Sequence, residues 1–141
     1  MSSAINKLEK VIESIENINF ILKTKDIKIT QAIEDKVIKP AIRMNIIRIA
    51  EQFSKLKDDN EFKILKEFSS NDLKGLSAVR NYIAHDYDST DDDIIEDVIR
   101  YNLPILKRII KKILKNLEKN KDLFIEENSE LEASEPFIIK E

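Results

Sequence analysis

The fold is decided by a strongly apolar stretch in the middle of the chain, Ala41-Ile42-Arg43-Met44-Asn45-Ile46-Ile47-Arg48-Ile49-Ala50-Glu51. Ile42, Ile46 and Ile49 recur at intervals of four and three residues, which places them on one side of an α-helix. The stretch therefore predicts an amphipathic helix that packs its apolar side into a helical core.

The apolar stretch belongs to a long predicted helix that runs to about Lys57. Thr30 is expected to cap this helix, and Pro40 is expected to kink or split it. Further helices are predicted before and after it. Before it, apolar residues spaced by three and four predict a helix over about residues 4–23. After it, a short helix carries Phe62, Leu65 and Phe68.

Two further helices complete the prediction. Asn71 is expected to cap a helix that ends near Asp86, and Thr90 is expected to cap the last helix, which Pro104 should bend. The apolar stripe of that last helix comprises Ile94, Ile95, Val98, Ile99, Leu103, Leu106, Ile110, Ile113 and Leu117. The predicted fold is an all-α, antiparallel four-helix bundle with one short extra helix.

The composition supports a single helical domain that needs neither a disulfide bond nor a structural metal ion for stability. The chain has 141 residues, one Gly, three Pro and no Cys, so turn signals for a sheet are scarce. The absence of cysteine fits a reducing compartment. Because there is no apolar run of about 18 residues and no signal-peptide pattern, we expect a cytoplasmic protein.

Charge is distributed unevenly between the two parts of the chain. Residues 122–141 carry a net charge of −6 and the whole chain −3, which leaves +3 on residues 1–121. We therefore predict a helical domain over residues 1–121 and an acidic, flexible tail over residues 122–141. The apolar segment Phe137-Ile138-Ile139 in the tail is either a frayed end or a strap onto a partner or second subunit.

The candidate chemistry lies in one short run, Arg80-Asn81-Tyr82-Ile83-Ala84-His85-Asp86-Tyr87. His85 is the only histidine, and histidine can both give and take protons near neutral pH. Arginine suits a phosphate, which it grips through two parallel hydrogen bonds. These residues suggest work on a phosphodiester, although an arginine near a helix-ending histidine more often serves capping and packing.

Helix geometry limits how these side chains can meet. Asn81 and His85 are four residues apart and share a face, so the amide can orient the imidazole. Arg80 and His85 are five apart, roughly 140° around the helix, and do not touch. A shared pocket needs the last turn to unwind or a second copy to supply the missing half, which points to a two-fold dimer interface.

Two charged clusters have ordinary explanations beside functional ones. The acidic cluster over residues 86–97 is explained largely by helix capping, so we predict no metal site. The last helix carries a basic strip that is either a solvated face or a surface for the RNA backbone. The strip consists of Lys107, Arg108, Lys111, Lys112, Lys115 and Lys119.

The chain resembles the HepT toxins of the HEPN superfamily over about residues 4–117. Three stretches carry this resemblance: the apolar stretch with Asn45 and Glu51, the Arg80-x4-His85-x-Tyr87 motif with its polar Asn81, and Ile99-Arg100-Tyr101-Asn102-Leu103-Pro104-Ile105-Leu106. The acidic tail and the missing tryptophan before the motif depart from the family pattern.

The resemblance implies the toxin of a type VII-like toxin–antitoxin pair. Such a toxin is a homodimeric, metal-independent endoribonuclease without a cofactor, in which Arg80 and His85 are catalytic and Asn81 supports them. A cognate minimal nucleotidyltransferase antitoxin would silence it by transferring AMP to Tyr87. The alternative is a non-catalytic helical module that binds a nucleotidyltransferase or a nucleotide, which the acidic surroundings of the motif favour. A plain structural bundle leaves the three matching stretches unexplained.

Overall fold

A computed structural model describes the backbone of residues 2–85 and 92–134 and the side chains of residues 3–85 and 93–119. All regular secondary structure in these ranges is helical, which confirms the predicted all-α bundle. The elements are α1 (Ser2–Thr24), α2 (Ile29–Ala32), α3 (Ile38–Asp58), α4 (Phe62–Leu65), α5 (Ser70–His85), α6 (Asp92–Asp97), a π-helical turn (Val98–Asn102) and α7 (Leu103–Ser134). Among the helices described, none combines the length and apolar character needed to cross a membrane.

The chain divides into two compact units, residues 1–110 and residues 111–141. The first unit holds α1 to α6, the π-helical turn and the first residues of α7, and the second unit holds the rest of α7. Helix α7 extends to Ser134, past Lys121, where the apolar periodicity of the sequence ends. The predicted boundary between residues 121 and 122 stays a prediction.

Helix α3 is the centre of the first unit, and α1, α4 and α5 pack against it. The isoleucines that predicted this helix, Ile42, Ile46 and Ile49, are at most 1% exposed. Burying each such side chain stabilises the fold by about 1.5–3 kcal/mol. They share the core with Leu8, Val11, Ile15 and Ile18 of α1, Leu76 and Ile83 of α5, Ile95 of α6, and Leu103, Leu106 and Ile110 of α7.

The start of α3 differs from the prediction. Thr30 lies inside the short α2 and does not cap a long helix. Instead, Asp35 accepts hydrogen bonds from the backbone N–H groups of Val37 (2.8 Å) and Ile38 (2.9 Å). Pro40 then falls in the first turn of α3, where its missing N–H would have no partner. The predicted split therefore occurs before Pro40, and the side chain of Asp35, three residues before the first residue of α3, binds the N–H groups at the start of the helix.

The segment from α3 to α5 is shaped by two local signals. Asn60 has a φ of 59°, and the bonds from Asn60 N–H to Lys57 O and from Glu61 N–H to Leu56 O end α3 in a Schellman arrangement. Ser69 caps α5, because its Oγ accepts a hydrogen bond from the N–H of Asp72 at 3.0 Å. The prediction that Asn71 caps this helix is therefore wrong by two residues.

The sequence predicts that Pro104 bends the last helix. In the structure, the irregular part of this helix lies just before Pro104, in the π-helical turn. Pro104 is the second residue of α7 and lacks the N–H that a regular α-helix would bond to the carbonyl of Arg100. The wider turn over Val98–Asn102 precedes this gap in the hydrogen-bond ladder. Asn102 in the turn donates to Oδ1 of Asp72 at 3.3 Å, which ties the turn to the start of α5.

Candidate active site

Helix α5 carries the motif and presents its residues on different sides. Leu76, Val79 and Ile83 are buried, and their three- and four-residue spacing defines the core-facing side. Arg80 lies beside this side and is half-buried, whereas Asn81 and His85 are exposed. The core contacts of α5 therefore fix the position of Arg80 at the edge of the bundle.

A cavity of about 290 Å³ lies between α3 and α5 at Arg80. We call it the arginine cavity, and its lining consists of Ala50, Glu51, Ser54, Lys55, Ser77, Arg80 and Asn81. Two cationic side chains and one carboxylate face it, so its net charge is positive. Inside it, the guanidinium of Arg80 donates to Oδ1 of Asn81 at 3.3 Å. Guanidinium, ammonium, hydroxyl and amide donors together suit the oxygens of a phosphate.

His85 does not line the arginine cavity. Helix α5 is helical through His85, so the last turn is not unwound, and Arg80 and His85 remain roughly 140° apart around the helix axis. In the described part of one chain, the arginine cavity therefore has Arg80 in its lining but not His85. The hydrogen bond shown for Asn81 joins it to Arg80 rather than to His85, and the orienting role of Asn81 stays a prediction.

Several other predicted site residues lie outside the described residues. Tyr87 belongs to residues 86–91, as do Asp86 and Thr90, so the structure does not place the proposed modification site. Among the side chains that are described, no group of three or more His, Cys, Asp or Glu residues could hold a metal ion.

One residue of the basic strip forms an ion pair within the chain. In the first unit, Nζ of Lys107 lies 3.8 Å from a carboxylate oxygen of Glu16 on α1, whereas Arg108 is exposed. In the second unit, Lys111, Lys112, Lys115 and Lys119 line the same helix, and Lys111 and Lys112 are exposed. The contact of this strip with RNA stays a prediction, and Lys107 already has a carboxylate partner.

Sequence reasoning did not predict the α3 side of the arginine cavity. Glu51, Ser54 and Lys55 line this side, and of these only Glu51 formed part of the family resemblance. Its neighbour in that resemblance, Asn45, is 6% exposed and bonds within the bundle. Glu51 therefore lines the cavity, whereas Asn45 bonds inside the bundle. This difference follows from how α3 packs against α5 and cannot be read from the sequence.

A second basic cavity adjoins the arginine cavity through Lys55, which lines both. It measures about 410 Å³ and lies between α1 and α3, with Lys7, Lys10 and Gln52 in its wall. Lys7 pairs with Asp59 at 2.9 Å. Oε1 of Gln52 is buried and has no hydrogen-bond partner among the described residues. Positive charge therefore continues past the arginine cavity across α3.

Comparison with known proteins assigns most of the chain to a family. The model of the family described as "Ribonuclease HepT-like" matches residues 1–113. No curated protein and no solved structure matches the chain.

Proposed function

Since the chain belongs to the HepT-like ribonuclease family of the HEPN superfamily, we propose that it is a metal-independent endoribonuclease and the toxin of a type VII-like toxin–antitoxin pair. The proposal places it in the cytoplasm, where RNA and ATP are present. It assigns catalysis to Arg80 and His85 and a supporting role to Asn81.

The observation that carries this proposal is the arginine cavity. Arg80 of the family motif lies in a positively charged cavity with hydroxyl and amide donors around it. A phosphodiester in this cavity would receive a charge-assisted hydrogen bond from the guanidinium, which strengthens as negative charge develops on the phosphate oxygens. This supports Arg80 as the residue that stabilises the transition state.

The reaction that we propose is attack within the RNA backbone. The ribose 2′-oxygen forms a bond to the adjacent phosphorus, and the bond from phosphorus to the 5′-oxygen of the next nucleotide breaks. Neutral His85 accepts the proton of the 2′-OH while water gives a proton to the leaving 5′-oxygen, or cationic His85 gives that proton while water accepts the proton of the 2′-OH. The products are a 2′,3′-cyclic phosphate and a free 5′-OH, and DNA is not cut because it has no 2′-OH.

The separation of Arg80 from His85 supports a homodimer. Because α5 remains helical through His85, a site with both residues needs a second copy of the chain or a movement of the helix end. In a two-fold dimer, Arg80 of one protomer can meet His85 of its partner, and the same pair occurs twice. We therefore propose that the active sites lie at the dimer interface.

Regulation through Tyr87 is the second part of the proposal. A cognate minimal nucleotidyltransferase would transfer AMP from ATP to the Tyr87 hydroxyl and release pyrophosphate. The added phosphate brings negative charge near Arg80 and His85, and the nucleoside adds bulk. Both effects oppose RNA binding, so the modified toxin is inactive.

RNA cleavage in excess EDTA tests the catalytic proposal. Wild type should cut RNA and leave DNA intact, His85→Ala should lower the rate by about 10²–10⁴, and Arg80→Ala by about 10²–10³. Arg48→Ala is the matched control, because Arg48 is exposed on α3 and lines none of the cavities described above. Retained cleavage in both motif variants, with native helical content, would overturn the assignment.

Intact mass after incubation with the antitoxin and ATP tests the modification. Wild type should gain one AMP unit or more and lose activity, whereas Tyr87→Phe should remain unmodified and active. Tyr101→Phe is the control, because Tyr101 is 63% exposed and should not affect modification. An unmodified wild-type sample that does not cut RNA would favour the non-catalytic nucleotide-binding module instead.

A further inference from the structure

A larger cavity of about 610 Å³ adjoins the arginine cavity on the side of α4. We call it the aromatic cavity, because Phe53, Phe62 and Phe68 line it. Phe53 and Phe68 are buried and pack edge to face, with ring centroids 5.0 Å apart at 82°. Phe62 on α4 is 58% exposed. The two buried rings fix the floor of the cavity, and Phe62 offers a ring that a ligand can reach.

The aromatic cavity and the arginine cavity form one continuous depression. Ala50 and Ser54 of α3 and Ser77 of α5 line both cavities. Small side chains at these positions leave the depression open, and the two hydroxyls lie between its parts. A ligand whose phosphate binds at Arg80 therefore has its neighbouring groups beside the aromatic cavity.

All charged side chains described in the lining of the aromatic cavity are positive. Lys57, Lys66 and Lys74 line it, and none of the described residues in its lining is acidic. A largely apolar interior with a cationic border fits a ligand that has a flat apolar group and negative charge on its backbone. An unpaired nucleotide has both, since its base stacks on an aromatic ring and its phosphates attract lysine.

We propose that the aromatic cavity binds an unpaired nucleotide of the RNA substrate, adjacent to the phosphate held by Arg80; this inference rests on the proposed function. The base stacks on Phe62, and the flanking phosphates contact Lys66 and Lys74. In duplex RNA the bases are stacked and paired and cannot enter such a cavity. The substrate is therefore single-stranded RNA, a loop or an unpaired end.

Binding of a labelled single-stranded 2′-O-methyl oligonucleotide, followed by fluorescence anisotropy, tests this inference. The probe has no free 2′-OH, so it reports binding whether or not the protein cuts RNA. Phe62→Ala should weaken binding by about five- to 150-fold, the range for loss of one base–aromatic stack. Phe20→Ala, which removes a ring that is 67% exposed on α1, should bind like wild type.

The lysines are tested by the salt dependence of the same binding. In Lys66→Gln combined with Lys74→Gln, the slope of log K against log salt concentration should become shallower by about 0.7 for each phosphate that the protein no longer neutralises. Lys63→Gln is the control, because Lys63 is exposed on α4 but does not line the cavity. An unlabelled duplex of the same sequence should compete poorly.

The outcomes separate this inference from the proposed function. Wild type that cuts RNA while Phe62→Ala binds and cuts normally would overturn the inference and leave the ribonuclease intact. Wild type that intact mass shows to be unmodified, and that binds the probe through Phe62 but cuts nothing, would support nucleotide binding in the aromatic cavity and contradict catalysis. If Phe62→Ala instead dissociates an oligomer and leaves probe binding by the remaining protein unchanged, the cavity is a contact between copies and the inference is wrong.

Discussion

At the scale of single residues, Asn45 shows how a polar side chain holds two helices together. Its Nδ2 donates to the carbonyl of Ala41 at 2.8 Å, and its Oδ1 accepts from Nδ2 of Asn17 on α1 at 3.3 Å. Because Asn45 is only 6% exposed, water cannot readily replace these bonds. The residue thus fixes the register of α1 against α3 within an otherwise apolar contact.

We predict that Asn45→Ala lowers the free energy of unfolding by about 1–3 kcal/mol, since it removes both bonds and leaves the Asn17 amide without this acceptor. Urea denaturation followed by circular dichroism measures the change. Asn19→Ala, at an exposed position of α1, is the matched control, with an expected change within about 0.5 kcal/mol. Equal stability of the two variants would contradict the role given to Asn45.

At the scale of helices, Asp35 makes the start of α3 sensitive to acid. The backbone N–H groups of Ile38 and Val37 donate to its carboxylate and lower its pKa below the ordinary value of 3.8. Because the pKa of Asp35 is lower in the folded state than in the unfolded state, its stabilising effect is complete at pH values above the pKa of the unfolded state. The effect is lost as the pH falls through the pKa of the folded state.

We therefore predict that Asp35→Ala is less stable than wild type at neutral pH and that this difference shrinks below pH 3.8. Unfolding by urea at a series of pH values from neutral to strongly acidic measures it. Glu34→Gln, at the exposed neighbouring position, is the control and should not show this convergence. A difference between Asp35→Ala and wild type that does not change with pH would show that the carboxylate charge is not involved.

Gly75 is a position in helix α5 at which another residue should make the fold more stable. Gly75 lies in the helix interior with a negative φ, and a Cβ placed there meets nothing within 4 Å. Gly75→Ala should raise the free energy of unfolding by about 0.8–1 kcal/mol, because alanine loses less backbone entropy in a helix. Ala78→Gly, at an exposed position of the same helix, should lower it by a similar amount. Thermal unfolding of both variants checks the pair, and loss of stability in Gly75→Ala would refute it.

The helices were predictable from sequence where burial dictates periodicity, as for Ile42, Ile46 and Ile49. The ends of the helices were harder to predict, because several polar residues near each end can act as caps. Ser69 rather than Asn71 caps α5, and Asp35 rather than Thr30 accepts the first N–H group of α3. Of the motif residues predicted for the site, Arg80 and Asn81 line the arginine cavity, whereas the roles of Arg80, Asn81, His85 and Tyr87 stay predictions. The sequence carries no periodic signal for which residues of α3 face α5. Glu51, Ser54 and Lys55 line the arginine cavity only because α3 packs against α5.

At the scale of the whole molecule, the position of His85 bears on whether the proposed active site needs two chains. Arg80 lines the arginine cavity while His85 lies outside it on the same unbroken helix. If each site combines Arg80 of one protomer with His85 of its partner, two inactive variants should complement each other. A mixed dimer of Arg80→Ala and His85→Ala then has one site with both native residues and one with neither.

Refolding the two variants together in equal amounts should therefore restore about one quarter of wild-type cleavage, since half of the dimers are mixed and each has one intact site. Native mass spectrometry verifies that mixed dimers form, and cleavage of a fluorogenic RNA measures the activity. A mixture of Arg80→Ala with the double variant Arg80→Ala/His85→Ala is the control, because no site in it can hold Arg80. Activity that stays absent although mixed dimers are present would mean that Arg80 and His85 act within one chain. Helix α5 would then have to unwind at its end when RNA binds.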